Sequence, residues 1–312
     1  MERAWTAADI APQHGKRFIV TGANSGLGLE TSAGLAAAGA QVVMACRDPA
    51  RAATALAAIR RRVPDARVEA ATLDLADLAT VRAFAQAQLA RNERLDGLIN
   101  NAGVMALPLQ RTRDGFEMQI GTNHLGHFAL TGLLLEALQA TPGARIVNVA
   151  SLAHRWTRGL DLDDLNFERS RYHKWDAYSR SKLANLMFHF ELDRRLRQRR
   201  TAVTAAAAHP GYSATNLMFV GPAQARSTVG RWAMQLGNLL FSQPADRGAL
   251  PTLYAATAPD VQSGDYIGPD GWRQLRGFPR KVGCRPAARD ATAGARLWAL
   301  SEDLTGVRFL DG

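Results

Sequence analysis

From Lys16 to Pro210, short apolar runs of β type alternate with longer stretches of helical spacing. The runs are Arg17–Thr21, Gln41–Cys46, Val68–Leu73, Leu95–Asn100, Arg145–Ala150 and Val203–Ala208. Each is apolar almost throughout, as a strand covered on both faces should be. The Ala/Leu/Arg segments between them fit amphipathic helices. Parallel strands need a crossover, usually a helix, so this alternation predicts βαβ units and a parallel sheet. The predicted fold class is α/β: a doubly wound parallel sheet with helices on both faces, in a single domain spanning 1–312. Beyond Pro210 the pattern loosens. Residues 211–245 carry Gly, Ser, Asn and Pro around a short apolar helix at about Trp232–Phe241. We read this segment as a substrate lid, although an ordinary surface helix pair would show the same pattern. A strand near Asp265–Gly268 and a helix at Ala288–Ser301 complete the domain.

The first strand runs into Thr21-Gly-Ala-Asn-Ser-Gly-Leu-Gly28, and a helix follows. Gly22 permits a tight turn, while Gly26 and Gly28 let backbone and helix approach a pyrophosphate. The helix N-terminus then offers free N–H groups and the positive end of its dipole. Glycine turns between strands and helices are common, but the strand–turn–helix context is the one a Rossmann-type dinucleotide site needs. Asn24, Ser25 and Leu27 are expected to line it with the three glycines.

The Gly-x-x-x-Gly-x-Gly spacing resembles the short-chain dehydrogenase/reductase family, and so do several later stretches. Asp74 and Leu75, in Leu-Asp-Leu after the third strand, match that family's adenine-contacting position. Asn101, Ala102 and Gly103 match its Asn-Asn-Ala-Gly element, although a plain turn would use the same residues. Pro210, Gly211 and Thr215 match its Pro-Gly-x-x-x-Thr element, which holds the nicotinamide carboxamide. The resemblance runs from about residue 15 to the C-terminus. It is nearest to the retinol dehydrogenase-like branch through Ala45–Asp48, Thr122–Phe128, Arg145–His154 and Tyr178–Asn185.

An acid at the end of the second strand would bond a ribose 2′-hydroxyl, whereas an arginine pairs with a 2′-phosphate. Here Cys46 is followed by Arg47 and then Asp48. Arg47 points to NADP(H) as the preferred cofactor. Asp48 leaves NAD(H) open, because it can either cap the next helix or take the NAD role.

Tyr178 and Lys182 are four apart near the start of a helix at about 176–197, so they share a face. With five tyrosines in the chain and only four lysines (Lys16, Lys174, Lys182, Lys281), this pairing is unusual by chance. A phenol titrates near 10, and a nearby ammonium stabilises its phenolate. Such a phenol can pass a proton to or from a substrate oxygen. Ser151 ends the fifth strand, on the side of a parallel sheet where ligands bind. The resemblance adds Asn123, which in the family holds a water in a proton relay through the lysine. It also implies that Tyr178 and Lys182 touch the cofactor, and it completes a catalytic tetrad of Asn123, Ser151, Tyr178 and Lys182. The implied activity interconverts an alcohol and an aldehyde or ketone, on a bulky apolar substrate. Two features depart from the branch: Ala150 stands where a second serine is common, and no membrane anchor is apparent.

Composition removes other classes. The net charge of +10 invites a nucleic-acid reading. However, the cations are nearly all arginines in an alanine-rich chain, and the densest run, Arg194–Arg200, reads as a helix end where cations are favourable. We therefore expect no nucleic-acid partner. The two cysteines, Cys46 and Cys284, form no disulfide framework. His124 and His127 are three apart without a third ligand at convincing spacing, so no metal is expected. There is no run of about 18 apolar residues and no signal-peptide pattern, so the expected location is cytoplasmic. A peripheral membrane contact through the lid and a homodimer are both compatible with the sequence. A light-dependent protochlorophyllide reductase shares the cofactor loop, the Thr122–Phe128 stretch and the Tyr/Lys pair. The intact Asn100–Gly103 and Ser151 favour a dehydrogenase, and assays in light and darkness discriminate the two. A catalytically silent cofactor sensor is the other alternative, and it would bind cofactor without turnover.

Overall fold

The computed structural model describes residues 4–212 and 243–311. Eight strands form one sheet: β1 (Arg17–Thr21), β2 (Gln41–Cys46), β3 (Arg67–Thr72), β4 (Gly97–Asn100), β5 (Arg145–Val149), β6 (Thr204–Ala208), β7 (Tyr266–Pro269) and β8 (Pro279–Lys281). Their spatial order is β3-β2-β1-β4-β5-β6-β7-β8. All neighbours are parallel except β7 and β8, which are antiparallel. The sheet thus bears out the doubly wound expectation, with one short reversed strand added at its edge. The chain winds outward from β1 in one direction and returns to lay β4 on β1's other side. Crevices for ligands open at the carboxyl ends of strands beside such a reversal.

Helices α1 (Gly26–Ala37), α2 (Pro49–Arg62) and α6 (Ala245–Thr257) bury one face of the sheet. Helices α3 (Leu78–Leu89), α4 (Gly126–Gln139), α5 (Lys174–Gln198) and α7 (Ala291–Thr305) cover the other. The central strands are fully buried. β3 is not: as the outer strand it alternates buried Val68 with exposed residues. It therefore lacks the continuous apolar character that its flanking runs show. The last helix begins three residues later than its apolar pattern indicates. Asp290 caps it, accepting the Ala293 N–H at 3.0 Å, and Gly306 ends it in the left-handed region at φ 63°.

Before α4 the chain makes a short helical turn, Met118–Ile120, and then one π turn, Gly121–Leu125, closed by the Gly126 N–H on the Gly121 carbonyl. Asn123 is thus in a π turn rather than in regular helix. Such turns recur at functional sites because they shift the register of one helical face. Gly126 is needed just there, since a Cβ would lie 2.5 Å from the Leu75 carbonyl oxygen. Most of the segment read as a lid, including Trp232–Phe241, lies outside the described residues. No helix among the described residues is long and apolar enough to cross a membrane.

Candidate active site

The loop after β1 has the shape that a pyrophosphate needs. Gly22 and Gly26 have φ of 66° and 54°, a region that favours glycine. At Gly28 an added Cβ would lie 2.3 Å from the Gly22 carbonyl oxygen and 2.6 Å from Asn101 Nδ2. The N-cap of α1, Ser25, makes no side-chain capping bond, so the first amides of the helix stay open to an anion beside Asn24, Ser25 and Leu27. A dinucleotide therefore fits the cradle.

The turn after β4 is bound to this loop. Asn101 Nδ2 donates to the Thr21 carbonyl at 2.8 Å, and the Asn101 and Ala102 amides both donate to Thr21 Oγ1 at 2.9 Å. At the end of β2, Arg47 is exposed and makes no hydrogen bond or ion pair with the described residues. Asp48 caps α2, its Oδ1 accepting the Ala50 and Arg51 amides at 3.0 and 3.1 Å. Asp74 Oδ1 accepts the Ala76 N–H at 3.0 Å. Leu75 is buried in the core, so its side chain serves packing. Pro210 follows β6, and Gly211 has φ of 67° where a Cβ would lie 2.4 Å from the Leu275 carbonyl oxygen. Thr215 lies outside the described residues.

Asn123 and Lys182 converge on the turn at Gly103. A Cβ there would lie 3.1 Å from Asn123 Oδ1 and 3.5 Å from Lys182 Nζ, so both groups pack closely against this turn. Asn123 holds the turn with both ends of its amide. Oδ1 accepts the Val104 N–H at 2.8 Å, and Nδ2 donates to the Val104 carbonyl at 3.0 Å and to Ser181 Oγ at 2.9 Å. Helix α5 carries Tyr178 and Lys182 on its buried face, where Ala177, Leu183 and Ala184 pack inward. Lys182 Nζ donates to the Val149 carbonyl at 3.1 Å, at the carboxyl end of β5. Ser151 begins the next turn, accepting the Ala153 N–H at 3.2 Å, and its hydroxyl faces the Tyr178 phenol closely enough to favour the phenolate.

Burial governs the charges here. The Tyr178 phenol is pushed above its usual value, mainly by burial, while the Ser151 hydroxyl pulls the other way. Burial lowers Lys182 to about 8. Lys182 Nζ lies 6.0 Å from the centre of the Tyr178 ring rather than on the hydroxyl. The expected stabilisation of a phenolate by the ammonium is therefore outweighed by desolvation. Burial thus favours the neutral phenol over the phenolate.

Several contributors were not legible as site residues. Ser181 links Asn123 Nδ2 to the Tyr178 carbonyl, to which it donates at 2.8 Å. Asn185 Nδ2 shares the Val149 carbonyl with Lys182, at 3.4 Å. Three-residue spacing, Ser181 from Tyr178 and Asn185 from Lys182, is the available signal. His154 Nδ1 bonds the Ser151 carbonyl at 2.6 Å. His124 and His127 turn to different partners, Ser301 Oγ at 2.8 Å and Thr21 Oγ1 at 2.9 Å. Thr21 itself carried no signal beyond preceding Gly22.

Comparison with known proteins agrees with this geometry. Residues 16–160 match the family model described as short chain dehydrogenase. The chain is 41% identical to mouse (Mus musculus) retinol dehydrogenase 14 over 318 residues, covering 98% of this chain and 90% of that protein. It is 42% identical to human (Homo sapiens) retinol dehydrogenase 13 over 301 residues, covering 94% of this chain and 85% of that protein. Among solved structures, an uncharacterised protein from Mycobacterium paratuberculosis superposes with a TM-score of 0.81 at 44% identity, covering 98% of this chain and 99% of the other. The glycine cradle, the converging tetrad and these relatives agree: the chain belongs to the short-chain dehydrogenase/reductase family, is similar to its retinol dehydrogenases, and is an NAD(P)-dependent oxidoreductase that interconverts alcohols and carbonyl compounds.

Proposed function

We propose that the protein is an NADPH-preferring reductase of aldehydes or ketones on bulky apolar molecules, with Tyr178 as the proton donor. The observation that carries this reading is the convergence of Ser151, Tyr178, Lys182 and Asn123 beside the glycine cradle, at the carboxyl ends of β4 and β5. When bound, the nicotinamide supplies the hydride. The protein does the rest. Ser151 and Tyr178 present two hydroxyl donors to a substrate oxygen and polarise its carbonyl. Tyr178, kept neutral by burial, releases its proton to that oxygen. Lys182, held on the Val149 carbonyl, stands beside the ring as the next proton source. Gly103 and the Asn123 amide fix the wall that the nicotinamide ring would meet. An intact tetrad supports turnover rather than a silent sensor.

The cofactor preference rests on Arg47 and Asp48. The carboxylate that could hold a ribose 2′-hydroxyl is engaged as a helix cap, while the guanidinium beside it is exposed and unpaired among the described residues. NADPH is expected to bind at least about tenfold tighter than NADH, equivalent to ~1.4 kcal/mol. Arg47→Ala should erase most of that gap in paired fluorescence titrations, and equal affinities in the unmutated protein would reject the preference. The substrate class rests on similarity to enzymes named for retinol. An NADPH-consumption screen over aldehydes of growing chain length, ketones, quinones and retinal tests it. A rise in kcat/KM with apolar length is expected, and best activity on a small hydrophilic substrate would overturn it.

A further inference from the structure

We propose that His127 is a positioning residue, coupling the cofactor-side turn at Asn101–Gly103 to the Asn123 backbone through a hydrogen-bond chain of fixed direction. The proposal rests on the NAD(P) site described above.

His127 is 2% exposed, lies on α4, and sits between two elements of the site. Its Nδ1 is 3.0 Å from the Asn123 carbonyl oxygen, and its Nε2 is 2.9 Å from Thr21 Oγ1. A carbonyl can only accept, so Nδ1 must carry the ring's proton. In the neutral ring Nε2 is then an acceptor, and the Thr21 hydroxyl must donate to it. Among the described residues the competing acceptor for that hydroxyl, the Ile99 carbonyl, is farther away at 3.3 Å. Donating to His127 leaves both acceptor sites of Thr21 Oγ1 for the Asn101 and Ala102 amides, each at 2.9 Å. The chain runs from two amides to Thr21, from Thr21 to His127 and from His127 to Asn123, with the Asn101 N–H also reaching the Ile99 carbonyl at 2.9 Å.

The chain has one direction, with both acceptor sites of Thr21 Oγ1 filled by amides. A second ring proton would set an N–H against an oxygen whose acceptor sites are taken. The surroundings hold the ring neutral, because burial lowers it to about 4 and the nearby Lys182 charge acts in the same sense. Thr21 ends β1, Asn101 and Ala102 follow β4, and Asn123 lies in the π turn. His127 is thus the residue through which the floor of the cofactor site and the tetrad backbone share one geometry. Its own side chain touches neither Tyr178 nor Ser151 in any hydrogen bond.

The ring's two nitrogens can be tested separately. In His127→Asn the side-chain amide can still donate to the Asn123 carbonyl but falls short of Thr21. In His127→Gln the amide oxygen can accept from Thr21 while the Asn123 bond is lost. We expect His127→Asn to weaken NADPH binding about fivefold or more with kcat little changed, and His127→Gln to do the reverse. Adding Thr21→Val to His127→Asn should change the cofactor Kd little beyond Thr21→Val alone, because one link has been cut twice. Equal losses in Kd and kcat for both variants, tracking a fall in Tm, would show a merely structural histidine and overturn the proposal. A measurement on the unmutated protein guards against misfolded variants. In a ¹⁵N spectrum of histidine-labelled protein at pH 7, His127 should show the Nδ1–H tautomer, the less favoured form of imidazole in water. An Nε2–H tautomer or a charged ring there would refute the chain. If the unmutated protein bound neither NADPH nor NADH, the cofactor-site reading itself would fall, an outcome separate from a failure of His127.

Discussion

Tyr178 and Lys182 illustrate how burial sets chemistry at a single residue. A phenol held above its ordinary pKa is protonated at neutral pH, so carbonyl reduction should run there without titrating the enzyme. Alcohol oxidation needs the phenolate and should quicken as pH rises. Rate profiles in the two directions should therefore diverge with pH, and parallel profiles would contradict the assignment. Tyr178→Phe should lower kcat by about 100-fold or more while leaving the NADPH Kd nearly unchanged. Lys182 carries the opposite burden. Its folded value of about 8, against an ordinary 10.5, means that the folded state is penalised for binding the proton. The penalty is full below about pH 8 and shrinks as pH rises toward 10.5, because the folded protein then releases a proton that the unfolded chain keeps. That shift corresponds to ~3 kcal/mol at most. Lys182→Met should thus abolish activity yet raise Tm by a few degrees at pH 7, with the gap narrowing above pH 8. Asn185 remains to serve the Val149 carbonyl in that variant. A lower Tm for Lys182→Met at pH 7 would show that its hydrogen bond outweighs its desolvation.

At the scale of elements, the glycine loop and the first turn of α1 form the most exacting piece of backbone. The Gly28 position faces the Gly22 main chain as well as the Asn101 side-chain amide, so Gly28→Ala must push α1 away from Gly22. We expect NADPH affinity to fall at least tenfold, about 1.4 kcal/mol, with a lower Tm as well. An unchanged Kd would mean that the helix terminus does not hold the cofactor. This element was legible because glycine spacing and its strand–helix context are local. β1 and β2 were legible with their bounds for the same reason, as apolar runs buried on both faces. β8 was not, since Pro279–Lys281 is three residues long and owes its strand geometry to pairing with β7. The π turn was equally hidden. Nothing local in Gly121–Leu125 distinguishes it from regular helix, and Asn123 found its place through Val104 and Ser181.

Across the whole molecule, the sheet order β3-β2-β1-β4-β5 brings the ends of β1, β4 and β5 side by side. It thereby gathers Thr21, Asn101, Asn123, Ser151 and Lys182 from across the chain. Helix α7 closes the opposite side of the core, with Trp298 against Phe128 and Phe309 at ring separations of 5.1 and 4.5 Å. By itself the sequence determined the α/β alternation, the glycine cradle, the Tyr178–Lys182 pairing on one helix face and, by family resemblance, the tetrad. These depend on residue identity and short spacing, which local sterics and helical periodicity read directly. Only the tertiary structure decided the pKa directions of Tyr178 and Lys182 and the direction of the Thr21–His127–Asn123 chain. Those follow from desolvation and from which donors and acceptors meet across the sheet, and burial and long-range hydrogen bonding exist only once the strands are in order.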